Sequence, residues 1–223
     1  MSVDNPLSLH FSSNSPHSCQ IWNSYSHDFL DFLNRLYECG ETIYSFDSVL
    51  PLITYPLELV EYRAKLNSQM YQVDFHDVQD ALNQRITKFF DRVSKYEQFY
   101  LFRKDQVDGY AFGNYVPTHT MGIVSPILRK KHLQYLASLI QDYPNLKVAC
   151  TLEKSEIYFA VNRTGVGIGV GSKESTIWSI ILTGDAIVKA FIDKYKQMWD
   201  RTVIKMNCSD YFFELAEQIK TRE

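Results

Sequence analysis

Apolar and polar positions alternate most clearly in the last third of the chain. LKVACTL, EIYFAV and TIWSIIL, between residues 146 and 182, are short apolar runs separated by turns, and each reads as a strand. The stretch 185–201, DAIVKAFIDKYKQMWDR, then brings Ile187, Val188, Phe191, Tyr195 and Met198 to one side at a period of 3.6. That spacing predicts a helix lying on the three strands.

The same reading covers the rest of the chain. Residues 1–20 are rich in Ser, Asn and Pro without apolar periodicity and suggest a poorly ordered arm or a loose strand. Tyr25, Phe29, Phe32 and Leu36 recur at helical spacing before Gly40, a short docking helix. GETIYSFDS predicts a strand whose far end presents Ser45, Asp47 and Ser48, and Pro56 opens a helix striped by Leu59, Tyr62, Leu66 and Met70. Asp74 caps a longer helix with Val78, Leu82, Ile86, Phe89 and Val93 on one face. EQFYLFRKD is apolar on both faces and predicts a central strand. Asp108-Gly109 marks a turn, with a further strand over Tyr110 to Val116. Ser125-Pro126 starts a helix with Leu128, His132, Tyr135, Leu136 and Leu139 inward, and Ser209 to Lys220 is a final amphipathic helix. The expected organisation is an arm at 1–20, one α/β domain at 21–205 with a mixed sheet flanked by helices, and a C-terminal amphipathic helix at 206–223.

Composition narrows the function classes. The 223 residues are 45% hydrophobic and 22% charged, with a net charge of −3, so a sizeable core is affordable and bulk charge offers nothing to a nucleic acid. No apolar run reaches the length of a membrane span and no export signal opens the chain, which places it in the cytoplasm with no membrane partner. Cys19, Cys39, Cys150 and Cys208 are scattered without metal-ligand spacing, so no metal and no cofactor is expected, and Cys150 reads as a small buried apolar residue.

The order of the last three strands and their helix resembles the second half of a phospholipase-D-like domain. The form is that of the effector domains of bacterial and archaeal (TrmB-type and XRE-type) transcription regulators. The resemblance spans residues 40 to 202 and implies a phospholipase-D-like α/β fold. In the enzymes of that family a histidine, a lysine two residues later and an aspartate seven after the histidine occupy the places held here by Ser155, Ile157 and Asn162. The Gly-Ser pair that follows matches Gly171-Ser172, but Glu174 stands where asparagine is expected. Without the histidine there is no nucleophile, and without the lysine nothing stabilises phosphoryl charge, so no catalytic residue is assigned.

The resemblance implies a non-enzymatic regulatory binding module, a ligand sensor or protein adaptor linked to transcription through a partner. Its ligand-binding cleft is expected near Ser45, Asp47, Arg103, Ser155 and Asn162, with a structural Arg103–Asp47 ion pair as the simpler account of those two charges. A protein partner, a homodimer and a small-molecule ligand all fit this reading. One alternative is a phosphodiesterase or nuclease with a relocated nucleophile, His119 or His132. Another is a nucleic-acid-associated protein using Arg129, Lys130 and Lys131 as a local basic patch that contacts anions, or reaching nucleic acid only through its partner. The alternating glycines from Gly165 to Gly171 lack the following helix of a dinucleotide site and predict a hairpin strand with a glycine face against a close backbone. Trp199, Phe212 and Phe213 are expected either to anchor the C-terminal helix or to form part of a symmetric dimer interface.

Overall fold

The computed structural model describes residues 7–9, 19–23, 41–47, 54–72, 74–113, 124–155, 157–170, 178–202 and 208–221. Among the described residues eight strands form one mixed sheet. In chain order they are β1 (Leu7–Leu9), β2 (Cys19–Asn23), β3 (Ile43–Asp47), β4 (Gln98–Arg103), β5 (Leu146–Thr151), β6 (Ile157–Asn162), β7 (Gly165–Val170) and β8 (Trp178–Leu182), lying side by side as β1-β2-β8-β7-β6-β3-β4-β5. β3, β4 and β5 are parallel; every other neighbouring pair is antiparallel. The helices are α1 (Leu57–Tyr71), α2 (Phe75–Val93), α3 (Lys104–Phe112), α4 (Pro126–Asp142), α5 (Asp185–Asp200) and α6 (Cys208–Glu217).

Side chains alternate across the sheet and feed two cores. Tyr100, Phe102, Val148 and Cys150 face one way and join Leu59, Val60, Phe89, Leu133, Leu136 and Phe212 from the helices of that side. Phe46, Leu101, Ala149, Phe159, Val161 and Ile168 face the other way and meet Val188, Tyr195 and Met198 of α5. The result is three layers with the parallel strands buried on both faces, as their apolar runs require.

Local chemistry explains where the helices begin. The Asp74 carboxylate accepts from the backbone N–H groups of His76 and Asp77, and the Ser125 hydroxyl accepts from that of Leu128 ahead of Pro126.

Several expectations change. The strand expected over Tyr110 to Val116 is not formed in its described part, because Lys104–Phe112 is the helix α3. Val107, Tyr110 and Ala111 are buried at i, i+3 and i+4, Lys104 pairs with Asp108 one turn on, and Gly113 ends the helix at φ +75. The Asp108-Gly109 pair, which reads as a turn, lies within this helix. In α1 the buried face runs through Leu59, Val60 and Ala64, with Tyr62 and Leu66 only half-buried. The stretch 1–20, expected to be an arm or a loose strand, contributes Leu7–Leu9 and the first two residues of Cys19–Asn23 to the sheet, where β2 pairs with β8. At Gly169 a Cβ would meet nothing within 4 Å, so the glycine face is not packed on a close backbone there. The helix expected before Gly40 falls outside the described residues.

Candidate functional site

The site lies at the carboxyl ends of β3 and β4, beside the start of β6. Parallel strands bring these ends together, and the antiparallel β6 enters alongside them. At the end of β3 the Ser45 hydroxyl donates to Asp47 Oδ2 at 2.5 Å. Burial pushes the Asp47 carboxyl up to about 7, against the smaller lowering effect of the Ser45 hydrogen bond.

Arg103 closes β4 and is almost fully buried. Its guanidinium grips Asp105 through two bonds, Nη2 to Oδ2 at 2.6 Å and Nε to Oδ1 at 3.1 Å. The hydrogen bond from Arg103 holds the Asp105 carboxyl below its ordinary range, and the same pairing raises Arg103. Nη1 reaches across to the Ser155 carbonyl at 3.2 Å and the Tyr158 hydroxyl at 3.5 Å. Gln106 Nε2 donates to the same Tyr158 oxygen at 2.8 Å, and Gln106 Oε1 is buried with no hydrogen-bond partner among the described residues. Tyr158 pairs in register with Gly169, where the space for a side chain is open.

The expected Arg103–Asp47 ion pair is replaced by Arg103–Asp105. Asp47 stands opposite Phe102 in the ladder, so it shares the Phe102 face while Arg103, the next position, points to the other. Ser155 joins Arg103 through its carbonyl; its hydroxyl accepts from the Ile157 N–H and donates to the Ile157 carbonyl, both at 3.1 Å. The Ile157 side chain is exposed. Asn162 lies at the far end of β6, about 16 Å along the strand from Ile157. Its Oδ1 accepts from Thr164 N–H at 2.9 Å and Thr164 Oγ1 at 2.7 Å, closing the hairpin into β7. Asn162 is therefore a turn residue, apart from the cluster that holds Arg103 and Ser155.

The alternative site residues are placed as follows. His132 is fully buried, with Nε2 bonded to Thr54 Oγ1 at 2.7 Å and Nδ1 to Tyr110 OH at 2.8 Å, and burial lowers it to about 3. It is packed in the core with both ring nitrogens hydrogen-bonded. His119 lies outside the described residues, as do Gly171, Ser172 and Glu174.

Arg129, Lys130 and Lys131 diverge. Arg129 donates to the carbonyls of Ala111 and Val124, Lys130 pairs with Glu217 at 3.1 Å, and Lys131 pairs with Glu58 at 2.6 Å. Trp199 stacks on Tyr195 and meets Phe99 edge-on in the α5 core, whereas Phe212 is fully buried in the opposite core with Phe213 beside it. The three aromatic residues thus do not form one cluster; Phe212 docks α6 within the molecule. Among the described residues no group of three or more His, Cys, Asp and Glu is placed to hold a metal, and no helix is long and apolar enough to cross a membrane.

Arg103, Gln106 and Tyr158 were not equally visible beforehand. Arg103 was signalled by a cation ending an apolar strand. Gln106 and Tyr158 carry no motif, and only the pairing of β6 beside β3 assembles them with it.

No family model and no curated protein matches the chain. Among solved structures it is similar to TrmBL2, an archaeal chromatin protein whose structure shows a novel mode of DNA binding, at 14% identity and a TM-score of 0.45, covering 88% of this chain and 57% of that one. It is also similar to Nuc, a phospholipase D family member from Salmonella typhimurium, at 7% identity and a TM-score of 0.43, covering 84% of this chain and 97% of that one. A third likeness is to NucT from Helicobacter pylori, at 11% identity and a TM-score of 0.45, covering 84% and 99%. The chain spans little more than half the length of the chromatin protein it matches.

Proposed function

We propose that the chain is a non-enzymatic binding module, a ligand sensor or protein adaptor that acts in transcription regulation through a partner, and that it binds at the carboxyl ends of β3 and β4. The observation that carries this reading is the state of the two positions where the resembled enzymes hold histidine and lysine. Ser155 spends its hydroxyl on the backbone of Ile157, and Ile157 offers no charge. What remains is a set of hydrogen-bonding groups, Arg103, Gln106 and Tyr158, with an amide oxygen unpaired among the described residues and open space over Gly169. Such a set suits recognition of a polar group by fixed donors and acceptors.

A second reading, a relocated hydrolase, draws on one observation: a carboxyl near 7 at Asp47 is poised for proton transfer. Two measurements separate the readings. The first is recovery of bound small molecules and proteins from native extract, analysed by mass spectrometry. Gly169→Val fills open space and should abolish capture with the melting temperature unchanged, while Arg103→Ala weakens capture at least about tenfold, the loss of a charged hydrogen bond. If both variants recover what the wild type recovers, the site is elsewhere. The second is metal-free hydrolysis of chromogenic phosphodiesters near pH 7; turnover that is lost in Asp47→Asn would replace the binding module by an enzyme.

A further inference from the structure

The hydrogen bonds at the carboxyl ends of the parallel strands leave one donor and one acceptor over. The Tyr158 oxygen receives Gln106 Nε2 at 2.8 Å and Arg103 Nη1 at 3.5 Å, which take its two lone pairs. Its own hydrogen is turned away from both and meets no acceptor among the described residues. Gln106 is 8% exposed, and with Nε2 committed to Tyr158 its Oε1 has no partner among the described residues. Turning the amide over exchanges the two roles and still leaves one donor beside one acceptor. A buried amide oxygen without a donor is costly, so the pair favours a group that brings both a donor and an acceptor to it. The space beside this pair is flat. β6 sets Tyr158 opposite Gly169 of β7, where a Cβ would meet nothing within 4 Å, and Gly169 is laddered on its far side to β8. The floor at that place is therefore backbone. The half-buried Tyr158 ring lies 5.8 Å from that of Phe46, which belongs to β3 on the other side of β6, and among the described residues no ring meets it from the β7 side.

We propose that the ligand of this site is a nucleobase-type heterocycle in a free nucleoside, an inference that rests on the binding-module reading above. Its flat ring lies over Gly169 against the Tyr158 phenol, and one edge carries an N–H beside a carbonyl or ring nitrogen. The ligand N–H reaches Gln106 Oε1, whose terminal torsion is broad enough to meet it while Nε2 keeps Tyr158, and the Tyr158 O–H donates to the neighbouring ligand acceptor. Arg103 keeps Asp105 and holds the phenol in place, acting as a positioning residue. Stacking on a phenol serves any base, since every base has a π-face, and the amide adds the preference for an edge with both groups.

The test titrates the purified full chain with uridine, guanosine, adenosine and cytidine by calorimetry. At least one is expected to bind, and methylating its edge nitrogen, as in N3-methyluridine, should weaken binding by about tenfold or more, because Gln106 Oε1 is then left facing a methyl group. Gln106→Leu and Tyr158→Phe should each cause a loss of similar size at an unchanged melting temperature, and Gly169→Val should abolish nucleoside binding. The methylated nucleosides act on the wild-type chain, so they decide the matter even where a variant does not fold. The proposal is overturned if no nucleoside binds at millimolar concentration, if methylated and unmethylated nucleosides bind alike, or if folded Gln106→Leu binds as the wild type does. Extract capture that Gly169→Val abolishes, together with no nucleoside binding, keeps the binding module and rejects the nucleobase. Extract capture that Gly169→Val and Arg103→Ala leave intact rejects the site and its ligand together.

Discussion

Two titratable side chains, half-buried Asp47 and fully buried His132, work against each other as pH changes. Asp47 sits near 7 in the folded chain and ordinarily near 3.9, so the folded state holds a proton that the unfolded state has released. Its contribution to stability is full below about 4 and lost as pH rises to 7. His132 sits near 3 when folded against an ordinary 6.5, so its contribution is full above about 6.5 and lost as pH falls toward 3. Each slope is about 1.4 kcal/mol per pH unit, with opposite signs, and between about pH 4 and 6.5 they cancel. Asp47→Asn removes one of them. Urea titrations of that variant should show stability falling by about 1.4 kcal/mol per unit of acidification in this window relative to the wild type, and parallel curves would refute the assignment. The histidine was legible as a packed residue because it falls on the apolar stripe of its helix. The partner of Arg103 was not, because two neighbouring positions in parallel strands give no sign in sequence of which face each will take.

At the scale of elements, glycines and the last helix carry separable consequences. Gly113 ends α3 at φ +75, and a Cβ there would stand 3.1 Å from the Arg129 guanidinium, which is itself held by the Ala111 and Val124 carbonyls. Gly113→Ala should therefore cost about 1–2 kcal/mol, while Gly169→Ala, with open space around it, should stay within about 0.5 kcal/mol of the wild type in the same unfolding assay. Removing residues 206–223 strips Phe212 from the core; a melting temperature lowered with unchanged mass in light scattering is the outcome for an intramolecular dock, and Phe212→Ala alone should cost about 3–5 kcal/mol. Strands and helices with strong periodicity, such as β4, β5 and α5, were readable from spacing alone. α3 was misread because Asp108-Gly109 mimics a turn, and tertiary burial of Val107, Tyr110 and Ala111 outweighs the glycine. β1 and β2 were hidden because LSL and CQIWN are short runs set among Ser, Asn and Pro, and only β1 takes the edge of the sheet.

For the whole molecule, β2 docks on β8 across most of the chain: Asn23 stands opposite Trp178, 155 positions later. At a synthesis rate of roughly 5–20 residues per second, β2 leaves the ribosome roughly 8–30 s before its partner exists. During that interval β2 can pair with β1 but its β8 side has no ladder to join, while β3, β4 and β5 can already pair. The N-terminal strands are thus the last pieces that can settle onto a sheet whose other edge is already built, and a nascent chain must be kept from pairing them elsewhere in the meantime.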